Sequence, residues 1–382
     1  MKLDNLTKFL DKITAWRIPG AVCRVNYNGK EVYEYHCGYS DIASGKPMQG
    51  DELFHLYSLT KLVTCVSALQ LFEKGEFLMS DPLSDYLPEF KNMMVQKTNL
   101  NGTKTLMTAN APITIRNLFT MTAGFTYDHF TPSFNEVRKA TGNRCPTREM
   151  ISALAKEPLV FHPGESFRYS LCHDVLGALI EEISGMKLGE YMKKNIFEPL
   201  GMDDTFFKLP ENKRERVMTQ YVFDNKLDRA VETDFNNEHE MGTEYESGGA
   251  GLISCAADYM KFADTLCNGG TSKDGARILS PRTIDLMRAN HITPKQREGL
   301  DWVQMAGYGY GLGVRTLVDP TAGSLSPKGE FGWSGMAGTY VIIDPENKLT
   351  VFYGQQMINN QEPYVHPRIR NIVYASLDTV EM

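Results

Sequence analysis

The chain has 382 residues, of which 42% are hydrophobic and 23% are charged, and its formal net charge is −7. This length suits one large domain or two intimate ones, and the composition is ordinary for a globular protein. The acidic balance provides no basic stripe that could replace the counterions of a nucleic acid, and no apolar run is long enough to cross a bilayer. We therefore expect neither a nucleic-acid partner nor a membrane span.

The start of the chain and its cysteines together predict a cytoplasmic protein. Residues 1–13 alternate charged and apolar side chains and lack the continuous apolar core of a signal peptide. The seven cysteines are scattered without a C-x-x-C pair, which in a chain of this length favours reduced thiols over a disulfide framework.

The first elements are predicted to be an amphipathic helix and a hairpin. Apolar residues recur at helical spacing over residues 3–17, and Pro19-Gly20 ends the pattern. The strand-like segments 21–27 and 30–35 then flank Asn28-Gly29, which is a strong signal for a two-residue hairpin turn.

Ser58-Leu59-Thr60-Lys61 follows this hairpin and places a hydroxyl and an amine three residues apart. Apolar residues continue at helical spacing up to Gly75, a plausible stop, so Ser58 is predicted at the first turn of a buried helix. Residues three apart share a helix face, and the free N–H groups of a first turn can stabilise an oxyanion. The alternative is a helix N-cap serine beside a solvated lysine, and the spacing alone does not decide between the two.

A second tetrad of the same pattern, Ser184-Gly185-Met186-Lys187, is rejected as a site. It follows an apolar helical pattern, and Ser184-Gly185 has the composition of a helix end rather than a helix start.

Helical patterns dominate from residue 80 to about 245, where strand-like alternation is scarce. The predicted helices there are 147–157, 173–184 and 188–197. After the Gly-rich stretch 247–252, the predicted elements are a helix (256–267), strand-like segments (308–318, 339–343 and 349–355, the last two paired across 344–347) and a terminal helix (368–377).

This order predicts an α+β fold with a mainly antiparallel sheet. Residues 1–80 and 246–382 would form one discontinuous domain of sheet and flanking helices, and residues 81–245 would be an inserted helical domain. The active site is expected at the interface of the two.

Two further segments fit a serine acyl-transfer site on such a frame. Tyr169 follows a Gly-bearing turn and precedes a helix, and a tyrosine near a lysine in a dry cleft can exchange protons with it. Trp333-Ser334-Gly335 precedes a strand, where small residues let a substrate lie along the backbone and the indole forms an apolar wall. Each of these residues taken alone is more often a packing residue.

Together the three segments resemble the serine β-lactamase and penicillin-binding-protein superfamily. The motifs S-x-x-K, Y-x-N and K-T-G, or variants of them, occur in that family's order, and the resemblance covers nearly the whole chain, including residues 121–125 and 248–252. Within the superfamily the chain looks most like the class C β-lactamase-related esterases, the family VIII carboxylesterases.

The resemblance implies a role for each motif residue. Ser58 would be the nucleophile, Lys61 and Tyr169 the base and acid, and the backbone N–H groups of Ser58 and Met336 the oxyanion hole. Burial of Lys61 would depress its pKa and make it a competent base. No cofactor and no metal ion are expected.

Two departures from the family pattern bear on the substrate. Leu171 stands where Asn is common, and Trp333 stands where the Lys of K-T-G is common. Because an indole cannot hold a carboxylate as that lysine does, these residues favour neutral acyl esters, or amides, over penicillins and D-Ala-D-Ala peptides. Leu171 is therefore expected at the substrate, with Trp333, Ser334 and Gly335.

The function predicted is that of a serine hydrolase acting on a small-molecule ester or amide through an acyl-enzyme. The alternatives are a β-lactamase, a D,D-peptidase or D-aminopeptidase, a transacylase, or a non-catalytic sensor module on the same fold. There is no G-x-S-x-G elbow or phosphate loop, and residues 236–240 are taken as a solvated acidic loop rather than a metal site. The oligomeric state and the role of residues 120–145, with Tyr127, Phe130 and Phe134, stay open.

Overall fold

The structure is a computed structural model that describes residues 2–99, 101–234 and 241–377. The acidic loop predicted at 236–240 lies outside the described residues. The helices are α1 (Asp4–Thr14), α2 (Thr60–Glu73), α3 (Ile115–Phe119), α4 (Pro132–Ala140), α5 (Thr147–Leu154), α6 (Cys172–Ser184), α7 (Leu188–Met192), α8 (Glu198–Leu200), α9 (Ala256–Cys267), α10 (Pro281–Arg288), α11 (Pro294–Arg297) and α12 (Glu362–Ala375). The strands are β1 (Gly20–Tyr27), β2 (Lys30–Asp41), β3 (Lys46–Pro47), β4 (Leu53–His55), β5 (Met94–Thr98), β6 (Lys104–Thr108), β7 (Tyr221–Asp224), β8 (Arg229–Glu232), β9 (Ile253–Cys255), β10 (Tyr308–Tyr310), β11 (Arg315–Leu317), β12 (Phe331–Ser334), β13 (Tyr340–Asp344), β14 (Leu349–Gly354) and β15 (Met357–Ile358).

The main sheet joins strands from both ends of the chain. Its order is β10-β11-β12-β13-β14-β1-β2-β3, and every neighbouring pair is antiparallel. The centre of the sheet is the pairing of β1 with β14, in which Val22 lies opposite Gly354 and Tyr27 opposite Leu349. The predicted α+β fold with a mainly antiparallel sheet is confirmed.

Helices cover both faces of this sheet because successive side chains of its strands point to opposite sides. On β1, Ala21, Cys23 and Val25 belong to the hydrophobic core that also contains buried residues of α1 and α12. Val22, between them, belongs to the larger core that contains α2 and α9. The sheet is therefore the middle layer between two helical layers.

Helix α2 runs through the larger core and is buried on every side. Its residues from Thr60 to Leu71 are all buried, so the helix has no solvent-facing stripe. It ends as predicted, with Gly75 in the left-handed region at a φ of 76°. The residues that begin this helix are therefore held by the interior of the protein.

The local turn predictions agree with the structure. Asn28 and Gly29 have φ values of 51° and 70°, as a type I′ hairpin turn requires. Ser184 ends α6, where its hydroxyl donates to the carbonyl of Ile180, and Gly185 follows in the left-handed region. This second S-x-x-K tetrad is a helix terminus, as expected.

Three element predictions need correction. The segment 308–318 forms two short strands, β10 and β11, because Gly313 adopts a φ of 82° and the chain turns between them. Two hairpins, β5–β6 and β7–β8, occur where strands seemed scarce, and much of β5–β6 is exposed and polar, which hides the period-2 pattern. The terminal helix begins at Glu362 rather than 368, and it contains Pro367, a residue that normally interrupts a helix.

None of the helices in the described ranges has both the length and the apolar character needed to cross a bilayer. All seven cysteines are free thiols in the structure.

Candidate active site

Ser58 lies in a 3-10 turn, Tyr57–Leu59, that leads directly into α2. The preceding residue, Tyr57, has a φ of 46°, a conformation that costs a non-glycine residue free energy and is concentrated at functional sites. The ring of Tyr57 is buried, and its hydroxyl donates to Gln220 Oε1 at 3.1 Å. The surrounding structure therefore holds the strained corner that presents Ser58.

Lys61 is fully buried, and its amine meets three oxygen atoms. Lys61 Nζ lies 3.1 Å from Ser58 Oγ, 2.7 Å from Tyr127 Oη and 2.6 Å from the carbonyl oxygen of Gly249. A neutral amine carries two N–H groups and one lone pair. When Gly249 and Tyr127 accept the two protons, the lone pair faces Ser58 Oγ. The predicted hydrogen-bond reach of Ser58 and Lys61 is thus confirmed.

The pKa of Lys61 is lowered to about 7, chiefly because burial penalises the charged amine. The negative charge of Asp174 opposes this shift and keeps the amine from becoming still less basic. Asp174 is itself buried and accepts hydrogen bonds from Tyr245 at 2.9 Å and Ser247 at 2.6 Å. A large share of Lys61 is therefore a free amine at neutral pH.

Tyr169 meets the Ser58–Lys61 pair from the other side. Its hydroxyl is hydrogen bonded to Ser58, its ring centroid lies 4.6 Å from Lys61 Nζ, and it accepts the indole N–H of Trp333 at 3.0 Å. Burial raises the pKa of Tyr169 more than these hydrogen bonds lower it. Tyr169 is therefore a neutral phenol that can donate a proton.

These residues open onto a cleft of about 350 Å³. Of the residues singled out from the sequence, those that line it are Ser58, Tyr127, Tyr169, Trp333, Ser334, Gly335 and Met336. Trp333 stacks on Tyr169 with ring centroids 5.6 Å apart, so the indole supports the phenol as well as forming a wall.

Leu171 is not brought to the cleft. Its side chain is fully buried and belongs to the hydrophobic core beside α6. The expectation that Leu171 touches the substrate is corrected: the residue precedes the first turn of α6, and the core of that helix takes up its side chain.

The turn between β12 and β13 places Met336 on the cleft that Ser58 also lines. Thr339 Oγ1 donates to the carbonyl of Leu56 at 3.2 Å, and a Cβ on Gly335 would lie 2.3 Å from the same oxygen. Only glycine allows this approach. Asn360 Nδ2 contacts the Gly335 carbonyl at 3.3 Å and holds the peptide whose opposite side carries the Met336 N–H, because N–H and C=O point apart in a trans peptide.

Comparison with known proteins agrees with this geometry. The family model described as Beta-lactamase matches residues 6–377. The chain belongs to the beta-lactamase family. Lovastatin esterase of Penicillium rubens is 30% identical over 373 residues, covering 90% of this chain and 90% of the relative. Esterase EstB of Burkholderia gladioli is 29% identical over 358 residues, covering 88% of this chain and 85% of the relative.

Among solved structures, EstCE1, a hydrolase with promiscuous acyltransferase activity, superposes with a TM-score of 0.79. It is 26% identical, and the match covers 97% of this chain and 98% of that chain. Family membership, these relatives and the fold together make the protein a serine hydrolase of the β-lactamase-related type.

Several residues of this beta-lactamase family site have no clear signal in the sequence. Tyr127 contacts Lys61 directly, but it is one of eighteen tyrosines in a segment without a motif. Of the three aromatic residues in that segment, Phe130 is exposed, Phe134 is buried in the core, and neither is among the residues lining the cleft. Gly249 did have a visible signal, since it lies in the Gly-rich stretch. The structure explains the glycine: a Cβ at this position would lie 2.5 Å from Asp174 Oδ2.

Proposed function

We propose that this protein hydrolyses carboxylic esters through an acyl-enzyme on Ser58, with Lys61 as the base and Tyr169 as the acid. The observation that carries the proposal is the 3.1 Å separation between Ser58 Oγ and a buried amine whose pKa is about 7. A base with a pKa near the working pH combines a useful free fraction with sufficient basicity.

Acylation follows from these positions. Ser58 Oγ attacks the ester carbonyl carbon while its proton moves to Lys61 Nζ. The N–H groups of Ser58 and Met336 would hold the resulting oxyanion, a contribution typically worth about 3–4 kcal/mol per donor. The C–O bond between the acyl group and the alcohol then breaks. Tyr169 relays to the departing alkoxide the proton that Lys61 Nζ took from Ser58, so that Lys61 returns to the free amine. Deacylation repeats the sequence with water as the nucleophile.

The cleft suits acyl esters with an apolar part. Trp302, Trp333, Tyr127 and Tyr169 contribute aromatic surface to its lining. Amides are a second substrate class for the same mechanism.

A cytoplasmic location stays a prediction that rests on the pattern of cysteines.

The test is release of p-nitrophenol from p-nitrophenyl butyrate. We expect Ser58→Ala to lower kcat by at least about 10³-fold, because the nucleophile is lost. Ser184→Ala is the matched control, since it removes the serine of the other S-x-x-K tetrad, and it should retain wild-type turnover. Unchanged turnover in Ser58→Ala would reject the assignment.

Acyl transfer to an alcohol is a second candidate function. It is favoured by the aromatic lining, which suits an apolar alcohol, and by the described acyltransferase activity of EstCE1. Adding a primary alcohol to the p-nitrophenyl butyrate assay and measuring the alkyl butyrate formed separates transfer from hydrolysis. A transferase forms the alkyl butyrate in preference to free butyrate.

A further inference from the structure

Glu362 is the carboxylate that lines the cleft. It is the first residue of α12, and its side chain is 14% exposed. One carboxylate oxygen, Oε1, accepts a hydrogen bond from Ser334 Oγ and lies 3.4 Å from His366 Nδ1. The other oxygen, Oε2, takes part in no hydrogen bond within the part of the chain that the structure describes. One side of the carboxylate is therefore anchored and the other is available to a ligand.

No lysine or arginine is among the described residues that line the cleft, and His129 is the remaining titratable group there apart from the tyrosines. Arg315 and Arg370 line a separate void of about 10 Å³ on another side of Glu362. Arg315 is paired with Glu330 at 2.9 Å, so much of its charge is already matched.

Aromatic residues line the same cleft as Glu362. Tyr169, Trp302 and Trp333 form a cluster of three rings, with centroids 5.3 Å, 5.6 Å and 6.0 Å apart. The faces of indole and phenol rings attract cations, and most strongly where water is excluded. A carboxylate beside several aromatic rings is a chemical combination that recognises an ammonium group.

We propose that Glu362 selects substrates, accepting esters that carry a protonated amine or a quaternary ammonium group and disfavouring esters that carry a carboxylate. The proposal rests on the ester-cleaving function of the same cleft. Glu362 stays ionised at neutral pH: burial raises its pKa, but the contacts with His366 and Ser334 and the positive charge of Arg315 outweigh that effect and hold the pKa below its usual range. A carboxylate on the substrate would therefore meet a like charge, and a cation an opposite one.

The experiment compares three p-nitrophenyl esters of similar size. They are the ester of 4-(trimethylammonio)butyric acid, its neutral carbon analogue from 5,5-dimethylhexanoic acid, and the mono-ester of glutaric acid. We expect wild-type kcat/KM to be about tenfold higher for the cationic ester than for the neutral one and lower for the anionic one. The preference should weaken at high salt, because ions screen the attraction.

Glu362→Gln tests the residue itself. We expect the ratio of kcat/KM for the cationic and neutral esters to fall about tenfold, since the amide keeps the shape but not the charge. The neutral ester is the internal reference, so any general loss of activity cancels in the ratio. Glu76→Gln, which changes an exposed glutamate that does not line the cleft, should keep the wild-type ratio.

A measurement on the unmodified enzyme covers the case in which Glu362→Gln does not fold. Choline should inhibit hydrolysis of the neutral ester at lower concentration than 3,3-dimethylbutan-1-ol, which has the same shape without the charge. Equal inhibition by both, or a ratio unchanged in folded Glu362→Gln, would overturn the proposal. If the neutral ester is not hydrolysed at all, the proposed function fails instead.

Discussion

At the scale of single residues, the proposed chemistry depends on the burial of Lys61. An exposed lysine is protonated at neutral pH and cannot accept the proton of Ser58. The interior around α2 removes water from the amine, and the carbonyl of Gly249 and the hydroxyl of Tyr127 orient it. The same burial keeps Tyr127 and Tyr169 protonated, so one environment frees the proposed base, Lys61, and keeps the proposed acid, Tyr169, in its donor form.

The pH dependence of catalysis follows from these shifts. We expect kcat/KM for p-nitrophenyl butyrate to rise with pH and to be half-maximal near pH 7, the pKa of Lys61, because the free amine is the active form. Because the pKa values of Tyr127 and Tyr169 are raised, we expect no fall in kcat/KM at any pH below 10.0, the ordinary pKa of tyrosine. A stopped assay corrected for spontaneous hydrolysis measures the profile.

Lys61→Arg provides the check on that assignment. A guanidinium cannot lose its proton in this range, so activity should stay below about one thousandth of wild type at every pH. Lys91→Arg, at an exposed position, should keep the wild-type profile. A wild-type profile that is flat between pH 6 and 8 would contradict the role of Lys61.

Trp333 has a second effect that a wall residue would not have, because its N–H holds the hydroxyl of Tyr169. Trp333→Phe keeps an aromatic ring against Tyr169 and removes the donor. We expect kcat to fall about 2–12-fold, the net worth of one hydrogen bond, with little change in KM for the neutral ester.

Trp16→Phe is the control for Trp333→Phe. Trp16 is 45% exposed and does not line the cleft, so its kinetics should match wild type. If Trp333→Phe raises KM and leaves kcat unchanged, the indole is an apolar wall and does not position Tyr169.

At the scale of elements, three segments distant in sequence converge on the start of α2. They are the Gly-rich stretch 247–252, the turn between β12 and β13, and the segment before α6 that carries Tyr169. The first two approach through backbone or a small residue, because the N-terminal turn of a buried helix leaves little room, and the third approaches through the phenol of Tyr169. The glycines at 249 and 335 are explained by these approaches.

Gly249→Ala tests the first of these approaches. Its Cβ would lie 2.5 Å from Asp174 Oδ2 and 3.2 Å from Tyr127 Oη, so the loop must shift and take the Lys61 acceptor with it. We expect kcat to fall by about 10²-fold or more and the free energy of unfolding to drop by about 1–3 kcal/mol. Kinetics and chemical denaturation measure the two effects.

Gly189→Ala is the matched control, since its Cβ meets only the side chains of Glu246 and Phe207, outside the cleft. It should cost stability without the loss of kcat. Wild-type kcat in Gly249→Ala would show that the carbonyl of Gly249 does not position Lys61.

At the scale of the whole molecule, the sheet joins the two ends of the chain and supports the site from behind. Strand β12 leads to the turn that carries Met336, and β13 and β14 connect it to β1 from the N-terminal region. The buried pair of Arg315 and Glu330 ties β11 to the start of β12, and Arg315 also donates to the carbonyl of Val341 on β13. The division into a discontinuous domain (1–80 and 246–382) and an inserted domain (81–245) stays a prediction.

The sequence by itself determined what depends on local geometry. Asn28-Gly29 specifies a hairpin turn, Gly75 and Gly185 end helices, and the three-residue spacing of Ser58 and Lys61 puts both on one helix face. Motif order then indicated the superfamily and the segment of Tyr169. These predictions succeeded because turn conformation and helical spacing act between neighbours in the chain. The prediction of one strand-like segment at 308–318 was wrong for a related reason, since a glycine turn inside an apolar run has the sequence pattern of a single strand.

Only the tertiary structure decided which distant side chains share the cleft. Tyr127, Gly249 and Glu362 lie far apart in the chain and nothing in the sequence links them, yet the fold places all of them at one site. Leu171 was expected there and is in the core instead. The pKa of Lys61 likewise depends on burial among residues from several elements. Such effects arise from packing between elements, which residue spacing along the chain does not encode.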